Sequence, residues 1–324
     1  MGDLEVEGGS HPVLELLRAR ACEGSRPGRR SDGARVGLVI EGGCMRGVVS
    51  GGMQLALERL GLRDTFDVVY GSSAGAVNGA YFVADQTEFG IGIYFEDINN
   101  SRFLALSRSL IRRPMMSLSY LLEDVMMRRR ILDWRAVLDS PVPLKIAATS
   151  VADLDVRLLE QFRNRDHLFA ALRASSSIPL IAGPPAEVDG ELFLDALLYE
   201  PIPYRVALAD GCSHVLVLLT HPEGTLNGKT SLFERHVIAR WIHDLEPRLR
   251  IAYLRQNADY DQRVAELRQH TVEPQGPPHL CALWTPKTAP AIRWLERKSA
   301  LLREACDAGE TTVDAAFEPL GERS

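Results

Sequence analysis

The chain has 324 residues, of which 46% are hydrophobic and 25% charged, with a formal net charge of −6. That length is ample for one large α/β domain with a buried core, and the composition is that of an ordinary globular protein. The acidic balance argues against a nucleic-acid binder, which usually carries a basic excess.

In chain order, residues 1–34 read as a flexible N-terminal extension. Asp3, Glu5 and Glu7 stand where a secretory signal needs a basic region, so no signal peptide is expected. HPVLELLRARA has the spacing of a short amphipathic helix, and CEGSRPGRRSDG after it has linker composition. Residues 35–324 read as a single α/β domain. ARVGLVI predicts a strand, VVSGGMQLALERLG a helix closed by a glycine, FDVVYG a second strand and AGAVNGAYFVA a second helix. This alternation predicts parallel βαβ units with helices packed on the sheet.

Between residues 100 and 140 the chain turns rich in Arg, Met and Leu, which predicts a helical, lid-like insertion. Arg112, Arg113, Arg128, Arg129 and Arg130 beside PMMSLSYLL suit a mobile lid over an acyl cleft or an interfacial helix. They equally suit a helical pair with a solvated basic face. Alternation resumes with PLKIAATSV, VRLLEQF, HLFAALRASSS, ELFLDALL and HVLVLLT. Residues 230–324 read as a mainly helical tail with one further strand in HLCALWTP. No apolar stretch approaches the roughly 18 residues that span a bilayer, so any membrane contact is expected to be peripheral. Five cysteines, without CxxC spacing, indicate neither a disulfide framework nor a zinc site, and a reducing, cytoplasmic location fits.

Three features could carry chemistry. VYGSSAGAVNGAYF places Gly71, Ser73 and Gly75 in a G-x-S-x-G pattern between a strand and a helix. That context describes a sharp turn that projects a serine, with glycines where a Cβ would clash. EGGCMRG, residues 41–47, ends the first strand. Consecutive glycines there can turn backbone N–H groups toward a common anion, as an oxyanion hole or a phosphate cradle. In βαβ topology this loop and the serine turn share the carboxyl edge of the sheet. Third, Asp195 closes an apolar run and could take the serine proton, or simply cap a turn. His221, after HVLVLLT, offers a second base in the order Ser73, Asp195, His221; His214 begins the same strand and should lie at the opposite edge.

Taken in order, these motifs resemble the patatin-like phospholipase family. That family pairs a D/E-G-G-G-x-[RK]-G loop with G-x-S-x-G and completes a Ser–Asp dyad with D-G-[GA]. Here the counterparts are Glu41, Gly42, Gly43, Cys44, Met45, Arg46 and Gly47, then Gly71 to Gly75, then Asp195-Ala196-Leu197. ALRASSSIPLI is similar to the family's A-S-x-A-x-P segment. The resemblance runs from about residue 35 to near the C-terminus. It implies a three-layer fold with a mostly parallel central sheet flanked by helices and a nucleophile elbow after an early strand. It implies Ser73 as nucleophile, Asp195 as base, an oxyanion hole drawn from residues 42–47, and ester hydrolysis through an acyl-enzyme without metal or cofactor. The implied substrate is a phospholipid or another acyl ester. Cys44, Ala196 and Leu197 depart from the family's small residues. A soluble-ester hydrolase with a Ser-His-Asp triad, and an impaired lipid-binding or acyl-transferring member, therefore stay open at this point. Chain-length and headgroup preference and oligomeric state are not legible.

Overall fold

The computed structural model describes residues 11–111, 113–226 and 234–318. Among them, eight strands follow one another: β1 (Val36–Ile40), β2 (Val68–Gly71), β3 (Leu144–Ser150), β4 (Asp155–Leu159), β5 (Ala186–Val188), β6 (Glu191–Asp195), β7 (His214–Leu218) and β8 (His279–Leu283). The helices are α1 (Pro12–Cys22), α2 (Gly47–Arg59), α3 (Ala74–Val83), α4 (Thr87–Gly92), α5 (Trp134–Asp139), α6 (Arg165–Ser175), α7 (Tyr204–Ala209), α8 (Ala239–Leu245), α9 (Pro247–Val272) and α10 (Ser299–Phe317).

β1, β2 and β3 are buried at every position, as expected of strands covered on both faces. The sheet order is β5-β6-β3-β2-β1-β7-β8, with β4 also on β3. β3, β2, β1, β7 and β8 run parallel, while β4 and β6 pair antiparallel with β3 and β5 pairs antiparallel with β6. Side chains alternate between two cores. Leu38, Ile40, Leu216 and Leu218 join Leu17, Val48, Met53 and Leu302 from α1, α2 and α10. Val39, Tyr70, Val215 and Val217 join Tyr204, Ala207, Tyr260 and Leu267 from α7 and α9. The result is three layers, helices over a mostly parallel sheet on both faces.

Strand register brings the third motif to the second. On β3, Ile146 pairs with both Leu159 of β4 and Gly71 of β2, and Ala148 with both Arg157 of β4 and Asp195 of β6. One backbone edge of β3 is taken by β4, so β2 and β6 must share the other. β2 ends at Gly71, and β6 takes over the vacated edge two residues further on. Asp195 therefore arrives just beyond the point where the chain turns at Ser73.

Two expectations meet a different arrangement. Residues 1–10 lie outside the described residues, but 11–34 do not form a flexible extension. Val13, Leu14 and Leu17 are buried, and Arg20, 1% exposed, pairs with Asp32 and Asp67 at 2.8 Å each. Arg30 Nε adds a bond to Asp67, so the Arg-rich stretch is tied to the start of β2. Its partner is far along the chain, which is why composition alone reads it as a linker. In the 100–140 segment, Arg112 lies outside the described residues. Arg128 pairs with Asp124, and Arg130 with Glu96 and Asp97, so the basic run is partly neutralised. The segment's Phe103, Met116, Leu118 and Leu121 are buried in the core. No described helix is long and apolar enough to cross a membrane.

Candidate active site

β2 runs into α3 through a turn in which Ser73 takes φ 52° and ψ −124°, a conformation that costs a non-glycine residue on the order of 1–3 kcal/mol. The flanking glycines make that turn possible. A Cβ on Gly75 would lie 2.3 Å from the Ile40 carbonyl oxygen, and one on Gly71 2.5 Å from that of Gly75. The Ser73 amide donates to Ser175 Oγ at 2.8 Å, and that hydroxyl donates to the Ala147 carbonyl at 2.7 Å. Ser175, at the end of α6, thus pins the elbow to β3.

The Ser73 hydroxyl and the Asp195 carboxylate face the same cleft, near enough for the hydroxyl to favour the ionised carboxylate. Asp195 is itself held from several directions. Its amide donates to Ser177 O, its carbonyl accepts from Thr149 Oγ1, and Oδ1 accepts from the Leu197 amide at 2.9 Å. Burial pushes its carboxyl up to about 7, against the downward pull of the Leu197 amide and the Ser73 hydroxyl. Ala196 and Leu197, where the family motif has small residues, open a short right-handed 3-10 turn, and neither takes positive φ. The turn needs no glycine, so the departure leaves Asp195 in contact with Ser73.

Residues 41–47 curl beside this pair. A Cβ on Gly42 would lie 3.0 Å from Ser73 Cβ, so only glycine permits the approach. Gly43 has φ 141°, and Cys44 follows in the left-handed region at φ 54°. The amides divide into two sets. Met45 donates to Trp294 O at 3.3 Å, Arg46 to Gly43 O at 3.1 Å, and Gly47 to carbonyls of the same turn. Those of Gly43 and Cys44 have no partner among the described residues. The site residues expected from sequence are therefore brought together, but Met45 and Gly47 face the interior and their N–H groups are occupied. The loop is braced by Asn78 of α3, which donates to Gly47 O at 2.7 Å and accepts from Tyr94 OH at 2.9 Å.

His221 is not brought to Ser73. Its ring lies edge-on to Tyr260 with centroids 5.5 Å apart, and Nε2 is buried without a hydrogen-bond partner. Burial, with the Arg46 charge adding to it, pushes its pKa down to about 3. His214 begins β7 at the far, amino edge, stacked on His279.

Ser73 sits where two spaces meet. In front is a cleft of about 340 Å³ with mixed walls, polar at Glu41, Arg46, Gln256 and Asn257 and apolar at Ile178, Ile181, Leu197 and Trp294. Behind is an apolar cavity of about 40 Å³ walled by Val77, Ile93, Ile98, Phe103, Leu118 and Leu121. Ser175, Asn78 and Trp294 were not legible as site residues. The one available signal was the serine run ahead of Ile178, which marks a segment but not which hydroxyl does what.

The chain matches the family model described as patatin-like phospholipase over residues 38–208, about half its length. Among curated proteins it is 24% identical to an uncharacterized protein of Escherichia coli K12, YjjU, over 82% of this chain and 73% of that one. It is 29% identical to an uncharacterized NTE family protein of Mycobacterium bovis, over 66% of this chain. It spans 56% of that relative's length. Among solved structures, human GIVD cytosolic phospholipase A2 with methyl γ-linolenyl fluorophosphonate aligns at TM-score 0.49 and 14% identity, over 94% of this chain and 61% of that one. VipD from Legionella pneumophila aligns at 0.44 and 11%, over 95% and 73%. On the family match, the chain belongs to the patatin-like phospholipases.

Proposed function

We propose that the protein hydrolyses acyl esters of lipid type through a Ser73 acyl-enzyme. The observation that carries this is the Ser73 hydroxyl set beside a buried Asp195, its carboxyl pushed up to about 7 by burial, at the junction of a mixed cleft and an apolar cavity. Ser73 Oγ attacks the ester carbonyl and its proton passes to Asp195. The oxyanion is met by the free amides of Gly43 and Cys44 and by the N-terminus of α3. Collapse breaks the bond to the alcohol, which leaves with the proton from Asp195. Water then attacks the acyl-enzyme, gives a proton to Asp195, and the carboxylic acid departs as Ser73 regains it. Family membership supports the lipid class of substrate, and the apolar cavity behind Ser73 supports an acyl chain lodged there. Against a histidine base stand the depressed pKa of His221, whose Nε2 is buried with no hydrogen-bond partner among the described residues, and the place Asp195 already takes beside Ser73.

Fluorophosphonate labelling followed by peptide mass analysis tests the reading. The wild-type chain is expected to be labelled on Ser73 and to turn over p-nitrophenyl esters, Ser73→Ala to do neither, and His221→Ala to keep most of its rate. Undiminished ester turnover by Ser73→Ala would sink the proposal.

A further inference from the structure

Two spaces adjoin at Ser73, and two sulfur side chains stand where they meet. Cys44, Ser73, Met116 and Ser176 line both. Cys44 Sγ lies 3.1 Å from Met116 Sδ across the passage. Each side chain is held by its own backbone. Met116 is 7% exposed, its amide donates to Ile181 O at 2.7 Å, and it bridges to Leu104. Cys44 is fixed by the turn it opens, residues Cys44–Arg46, with Gly43 before it.

Position 44 is the informative one. At φ 54° a glycine would sit without strain, so the turn itself does not call for a side chain. The thiol projects toward Met116 all the same and narrows the way from the nucleophile to the apolar cavity. Burial pushes that thiol up to about 12, which keeps it neutral and suited to an apolar wall. Beyond the passage the cavity holds about 40 Å³. Since roughly 10–15 Å³ of such space accommodates one water-sized group, about three or four methylenes fit there.

We propose that the Cys44–Met116 contact is the gate that sets acyl-chain length, holding the site to short chains. The proposal rests on the acyl-ester reading above and names its acyl specificity. Longer chains that enter the apolar cavity must first pass the sulfur pair. Removing either side chain joins the cavity to the 340 Å³ cleft. A chain lodged instead in the front cleft, which both residues also line, would not have to pass between them.

The test is the ratio of kcat/KM for p-nitrophenyl dodecanoate to that for the butanoate, in wild type, Cys44→Gly and Met116→Ala. Active sites are counted by fluorophosphonate so that misfolded protein does not enter the ratio. Because a pocket that admits or refuses a methylene discriminates about tenfold or more, wild type is expected to favour butanoate by at least that factor. Both variants are expected to raise the dodecanoate ratio by about tenfold or more. An unchanged ratio in both, with labelling intact, overturns the gate while leaving the hydrolase standing. If no ester is turned over and Ser73 resists the label, the hydrolase reading fails instead. The gate is then read from fatty-acid affinity in a Ser73→Ala background. A shift toward dodecanoate in the doubly substituted chains upholds it, and an unchanged length preference overturns it.

Discussion

At the amino ends of the parallel strands buried charge meets opposite charge, whereas for the two carboxylates beside Ser73 it does not. Arg20 is 1% exposed and grips Asp32 and Asp67, and Lys145 lies against Asp210 and Glu160. The Arg20 bond holds the Asp32 carboxyl down at about 2. At the other edge, Asp195 and Glu41 are both 2% exposed, and neither has a cation within salt-bridge distance among the described residues. Burial raises both pKa values. The same edge holds Ser73 and Cys44 in left-handed backbone. One end of the sheet is arranged for stability; the other keeps strain and uncompensated charge where an ester would react.

The largest expected effect breaks this contrast from the carboxyl side. Asp195→Asn keeps the size of the side chain and an oxygen for the Leu197 amide, but removes the base. Turnover should fall by about 10²–10⁴-fold, the range attributed to general base catalysis. Stability at pH 8 should rise, because a pKa lifted from 3.8 to about 7 means ionised Asp195 burdens the fold. The ceiling is about 4 kcal/mol at 1.36 kcal/mol per unit, read by urea unfolding. Loss of activity without any gain in stability would count against the elevated pKa. From the amino side, Arg20→Ala leaves two carboxylates facing a vacancy and should cost about 3–5 kcal/mol. Turnover per fluorophosphonate-counted site should stay near wild type. A variant that folds normally yet loses turnover would erase the distinction between the two edges.

Much of the carboxyl edge was legible because its requirements are local. A strand, a small-residue elbow and a glycine-rich loop one βαβ unit apart single out Ser73, Gly42 and Gly43 as candidates, and the family resemblance implies their roles. Asp195 was legible as a candidate base, but not its geometry, which comes from β6 taking the edge of β3 that β2 gives up. No periodicity encodes that handover. The same holds for Ser175, which reaches the elbow across 102 positions, and for Trp294, whose carbonyl occupies the Met45 amide. The amino edge was misread for a related reason. Residues 23–34 look like a linker until Asp67 is known to lie beside Arg20 and Arg30. Charge pairs between distant segments leave no mark in composition.

The smallest expected effect sharpens the comparison through pH. His214 is pushed down to about 4 by burial, with the neighbouring His279 adding to it, and burial lowers His11 as well. Between pH 4 and 6.5 the unfolded chain binds protons that folded His214 refuses, so this edge gains stability as pH rises. Asp195 does the reverse over the same window, because the folded carboxyl holds a proton that the unfolded one has released. The two slopes oppose each other in the wild-type chain. His214→Gln should remove about 1 kcal/mol of the rising component, discounted because the ring is partly exposed, so that stability falls more steeply with pH. Asp195→Asn should leave the rising component alone. Urea midpoints for the three chains, taken at intervals from pH 4 to 7, separate these slopes. Parallel curves would mean that neither edge titrates within the window, and the proton on Asp195 would have to be sought at a lower pH.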